Sequence, residues 1–94
     1  MSLIALLLLS ASAGSGSTGP TSQAFAKALA EHTGRQVNAA HLRRLHCKGF
    51  GADEPTEAEC RWQQRVGGHW KGYSTYVAVD GRGWHLIDEP NPIR

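Results

Sequence analysis

The sequence predicts an α+β fold: one N-terminal helix packed on a four-stranded antiparallel β-meander and held by one disulfide. Three observations predict it. Phe25, Ala28, Leu29 and His32 recur at spacings of three and four, the repeat of one helix face. From about residue 57 the pattern changes to period two, punctuated by Gly67-Gly68 and Asp80-Gly81-Arg82-Gly83. The only two cysteines, Cys47 and Cys60, flank a polar loop where two strands would turn back on each other.

A chain of 94 residues allows one small domain. It opens with an apolar run, Leu3 to Leu9, that ends in small residues at Ala11 and Ala13, the outline of a secretory signal cleaved after Ala13. No Lys or Arg precedes Leu3, so the usual positive start is missing, and a membrane anchor or an N-terminal core helix is the alternative. The run is far short of the ~20 residues that span a bilayer, so no stable membrane span remains after signal removal. Residues 1–13 are therefore read as a signal peptide, 14–21 as a flexible polar leader and 22–94 as the folded domain. The expected location is periplasmic or extracellular.

An exported chain of this size leans on a covalent staple, and a Cys pair in that compartment is usually bridged. A Cys47–Cys60 bridge closes a loop worth ~3 kcal/mol in the chain-entropy model. A metal site on Cys47 with His41 or His46 matches no zinc-ligand spacing, and CxxC is absent, which disfavours a redox role. No cofactor is implied.

The helix is expected from about Ser22 to Thr33. Pro20 marks its approach, Thr21 or Ser22 supplies the N-cap oxygen, and Gly34 stands where a left-handed C-cap is wanted. Lys27 and Glu31 form an i, i+4 pair away from the apolar stripe. So short a helix is marginal alone and must pack on the sheet.

Gly67-Gly68 is a two-residue hairpin signal, because glycine reaches the positive φ angles such turns require. Counting outward pairs Val66 with His69, Arg65 with Trp70, Trp62 with Tyr73, Cys60 with Thr75 and Ala58 with Val77. The second turn pairs Val79 with Trp84, Val77 with Leu86 and Tyr76 with Ile87. The bridge sets Lys48 opposite Glu59 and Leu45 opposite Trp62, and it carries on to Arg43 opposite Gln64 and His41 opposite Val66. Neither Arg43 nor His41 belongs in a core, so the first strand is expected to fan away or to bulge before Leu45. The segment Val37-Asn38-Ala39-Ala40 has no clear assignment.

Alternation then sorts the side chains. Ala58, Cys60, Trp62, Tyr73, Thr75, Val77, Val79, Trp84 and Leu86 make the core face, covered by Phe25, Ala28 and Leu29. The opposite face carries Leu42, Arg44 and His46, then Arg61 and Arg65, then Trp70 and Tyr76, with His85 and Ile87 on the last strand. Arg65 faces Trp70, and Arg61 lies diagonal to Tyr76 within cation–π reach. Arg61, Arg65, Trp70, Tyr76 and His85 are the candidate binding residues. Arginine interleaved with Trp and Tyr suits a protein, a glycan or a small anionic ligand. The competing reading is a solvated sheet face on which arginine stems cover the rings.

A net charge of +2 gives no reason to expect nucleic acid. The basic stretch Arg35, Arg43, Arg44 and Lys48 is followed by the acidic Asp53, Glu54, Glu57 and Glu59, and the two neutralise each other across a hairpin. Catalytic signals are sparse. His46, His69 or His85 would serve a small hydrolase or metal-dependent enzyme, yet no nucleophile elbow, phosphate loop or HExxH is present. Asp88 comes opposite Thr75, where a hydrogen bond to Thr75 is a better use of it than catalysis.

The pattern Cys47-x12-Cys60-x-Trp62, followed by Trp84-His85-Leu86-Ile87-Asp88 behind an export signal, resembles short exported proteins of unassigned activity from some alphaproteobacteria. The resemblance runs from about Cys47 to Asp88 and implies an envelope location. Helix followed by meander is also similar to cystatin-like folds, a likeness of architecture that carries no function. The expectation is an exported binding or interaction module without catalytic activity; the alternatives are the small enzyme above and a structural envelope protein with no specific ligand.

Overall fold

A computed structural model describes residues 19–93, so the proposed signal peptide and most of the leader lie outside the described residues. The elements are α1 (Ser22–Thr33), a short 3-10 turn (Ala39–His41), β1 (Leu42–Gly49), β2 (Glu57–Val66), β3 (His69–Asp80), β4 (Gly83–Leu86) and β5 (Asn91–Ile93). Among the described residues one helix lies against one antiparallel sheet, and Cys47 is bonded to Cys60.

Helix α1 begins and ends where the sequence places it. The Thr21 hydroxyl accepts from the Ala24 N–H at 3.1 Å, satisfying one of the amides a helix start leaves unpaired. Gly34 takes φ 76° and its N–H donates to the Ala30 carbonyl at 2.8 Å. The buried stripe is Phe25, Ala26, Ala28 and Leu29: Ala26 packs into the core where the predicted stripe had His32, which is exposed. His32 lies at its margin, 3.2 Å from Glu89. The approach to the helix is part of the fold: Pro20 is buried and Gly19 packs against Cys47.

The β2–β3 register is the counted one throughout, from Val66↔His69 to Ala58↔Val77, and Gly67 and Gly68 both take positive φ. Val79↔Trp84 and Val77↔Leu86 hold likewise, and the Ile87 N–H donates to the Tyr76 carbonyl. Cys47 sits directly opposite Cys60, with Lys48 opposite Glu59.

The far end of β1 departs from the simple count. The register shifts between Arg43 and His46, so that Arg43 pairs with Gln63 and Leu42 with Gln64. Arg44 sits in this bulge with φ 57°. The extra residue flips the alternation, which corrects the outward placement of Leu42: it is buried in the core at 7% exposure, and Arg43 takes the outer position instead. His41 closes the 3-10 turn rather than pairing with Val66. That turn is the structure of the unassigned segment; the Asn38 side chain accepts from the Ala40 N–H, and Val37 and Ala39 pack on the core.

The sheet also has a strand the sequence reading does not contain. β3 is 12 residues long; β4 pairs with its second half, and β5 pairs with its first half through Gly72↔Ile93, Tyr73↔Pro92 and Ser74↔Asn91. Pro92 is tolerated because β5 is an edge strand. Where the chain passes from β4 to β5, the Thr75 hydroxyl donates to the backbone carbonyl of Asp88 at 2.8 Å. The expected Thr75–Asp88 partnership exists through the main chain of Asp88.

The core centres on Trp62, 2% exposed. Phe25 meets it edge-on at 4.6 Å between centroids and Tyr73 stacks at 5.7 Å, while its indole N–H donates to the Gln64 side-chain Oε1 at 3.1 Å. Every buried side-chain nitrogen and oxygen among the described residues has a hydrogen-bond partner.

Candidate recognition face

The face turned away from α1 is built by strand alternation on β2 and β3 and by the bulge in β1. Arg61, Gln63 and Arg65 project from β2, opposite Ser74, Gly72 and Trp70 of β3. The bulge adds Arg43, whose Nε–H donates to the Gln63 side-chain Oε1 at 2.6 Å. Its guanidinium carbon stands 4.1 Å from the Trp70 ring centroid, and that of Arg65 stands 5.7 Å away. Two arginines thus converge on one indole. The sequence pairing found Arg65; Arg43 was missed, since only the bulge turns it to this side.

The other predicted site residues are distributed differently. Arg61 is exposed, with its Nε 3.9 Å from Glu59 Oε2, and both cation–π contacts among the described residues fall on Trp70. Tyr76 packs against Phe50 at 5.7 Å, so the expected Arg61–Tyr76 contact is replaced. His85 is held at the β4 edge, with Nε2 3.0 Å from Asp80 Oδ1 and Nδ1 3.7 Å from Glu31 Oε1. Glu31 therefore reaches across to the sheet rather than along the helix to Lys27. Of the five named residues, Arg61, Arg65 and Trp70 group around the Trp70 ring and its groove; Tyr76 shares the outer face but packs on Phe50, and His85 is engaged by Asp80 and Glu31.

A groove of about 780 Å³ runs beside Trp70, lined by Arg44, Arg61, Gln63, Gly72 and Ile93 among others, with no acidic residue in its wall. Its floor is set by a close approach: a Cβ on Gly72 would lie 3.3 Å from Ile93 Cγ1, so the bare glycine lets the Ile93 side chain settle over β3. A second groove of about 740 Å³ lies between the end of α1 and the sheet. Its lining mixes Arg35, Arg65, His32 and His41 with Glu89, and His32 is already engaged by Glu89.

His46, His69 and His85 do not share a site. They meet the sheet at Arg61, Val66 and Ala78 respectively, which separates neighbouring columns along β3 by roughly 13–17 Å at the usual strand rise. Among the described residues no three His, Cys, Asp or Glu side chains converge as a metal-binding group. Asp80 is electrostatically perturbed. Its carboxyl is held below the usual range by the Arg82 backbone N–H, donated at 2.8 Å, and then by the His85 hydrogen bond.

No protein-family model, curated protein or solved structure matches this chain. Among the described residues no helix is long and apolar enough to cross a membrane.

Proposed function

We propose that this chain is an exported, disulfide-stapled binding module of the cell envelope, without catalytic activity, that captures its ligand on the outer sheet face. The observation that carries this reading is the convergence of Arg43 and Arg65 on Trp70 at the rim of a groove free of acidic residues. An aromatic ring approached by two cations beside a cleft of ligand-sized volume has the composition of a recognition surface. Export is supported by the Leu3–Ala13 pattern and by a disulfide in so small a domain.

The test has two parts. Protein recovered from the envelope is weighed intact, with alkylation before and after reduction. A mass beginning at Gly14 and no alkylation until reductant is added agree with export; a mass beginning at Met1 with two free thiols overturns it. Arg61→Ala, Arg65→Ala and Trp70→Ala are then compared with the parent for ligand capture from envelope extract after their folding is verified by circular dichroism. Loss of capture in the folded variants supports the outer face, and retained capture in all three removes it.

A further inference from the structure

We infer that the groove beside Trp70 takes an acidic glycan, an oligosaccharide carrying carboxylate groups along its length; this rests on the binding-module reading above. Three features of the groove match three features of such a ligand. Trp70 forms one wall, and an indole presents an apolar surface to the C–H face of a sugar ring. Arg44 and Arg61 line the same groove, and guanidinium groups receive carboxylates through paired N–H donors. Gln63 lines the groove as well. Arginine has only donors, so the Gln63 oxygen is the atom that accepts from Arg43, which leaves its NH2 group to donate to a hydroxyl or carboxylate.

The same features disfavour other occupants. Arg44 and Arg61 are exposed and stand on different strands, and single exposed ion pairs contribute little. Affinity therefore requires a ligand that meets several cations at once, which a lone phosphate or carboxylate does not. The loose Glu59 contact at 3.9 Å leaves Arg61 available to an incoming anion. A single-stranded nucleic acid wants a succession of aromatic faces, whereas Trp70 is the one aromatic in this groove that is not buried in the core, and Tyr76 is packed on Phe50.

The experiment is calorimetric titration of the full chain at low salt with short oligogalacturonate, using maltohexaose, polyphosphate and oligothymidylate as comparison ligands. Oligogalacturonate is expected to bind saturably and at least about tenfold more tightly than each of the others. Arg61→Ala and Trp70→Ala weaken it by about tenfold, and Trp70→Tyr, which keeps a ring, restores most of the loss. Arg35→Ala, outside this groove, leaves it unchanged. Equal binding of polyphosphate or oligothymidylate overturns the glycan assignment and leaves a general polyanion surface, with the binding-module reading intact. Absence of binding by every probe also overturns it, and the envelope-capture comparison then decides the module reading separately.

Discussion

Gly19 lies directly on the disulfide: a Cβ at this position would fall 2.5 Å from the Cβ of Cys47 and 3.0 Å from its sulfur. The chain thus enters α1 by crossing the staple at a point where no side chain fits. Pro20 is buried immediately afterwards and Thr21 caps the helix, so the three residues together aim α1 across the sheet.

Gly19→Ala is therefore expected to destabilise the domain although it changes one methyl group. The obstructing atoms are close to the backbone and cannot swing aside. Overpacking of this kind costs about 1–3 kcal/mol, and each kcal/mol lowers the melting temperature of so small a domain by roughly 4–8 °C. Thermal melts of both proteins under oxidising conditions measure it. An unchanged melting temperature would show that the crossing relaxes freely.

Replacing both cysteines by alanine removes the staple between β1 and β2. The expected loss is about 2–5 kcal/mol, the range for small exported domains. The pair also contributes buried volume, since Cys60 is fully buried in the core. Urea unfolding of the double variant, beside the parent with and without reductant, separates the cross-link from the packing: reductant removes only the first.

Arg44 holds φ 57° in the bulge, a conformation that costs an L-residue about 1–2 kcal/mol. Arg44→Gly is expected to equal or exceed the parent in stability, and Arg44→Val to fall below it. The bulge turns Arg43 outward and Leu42 inward, so the glycine variant should also keep the Arg43–Trp70 contact. Tryptophan fluorescence and urea midpoints of the two variants check both statements.

Asp80 supplies the pH dependence. Its carboxyl is held below the ordinary aspartate range, first by the Arg82 N–H and then by His85. A carboxylate with a lowered folded pKa adds stability above its unfolded pKa, and that stability is lost as pH falls through the folded value. The contribution should thus be complete near neutrality and disappear below about pH 4. Asp80→Asn retains an oxygen for the Arg82 N–H but does not titrate. Its stability should fall less steeply than the parent's over that acid limb, which melts across the range test directly.

Most of the fold was legible because the signals are local or follow by counting. Thr21 and Gly34 bracket a helix whose apolar spacing is visible, and Gly67-Gly68 determines every pair from Val66↔His69 to Ala58↔Val77 once alternation is applied. The candidate site was legible in part. Arg65 opposite Trp70 is a consequence of register; Arg43, the nearer of the two cations, is not.

Sequence by itself determined the helix, the meander, the bridge and the separation of an apolar from a cationic face, because each depends on spacing along the chain. Tertiary structure decided the bulge at Arg44, the docking of Asn91–Ile93 on β3 and the capture of His85 by Asp80 and Glu31. These depend on competition between distant groups for the same space. Leu42 gains burial beneath the helix only if one residue is inserted ahead of Leu45, and Ile93 finds its place only where Gly72 leaves room. Neither condition is written in the spacing of neighbouring residues.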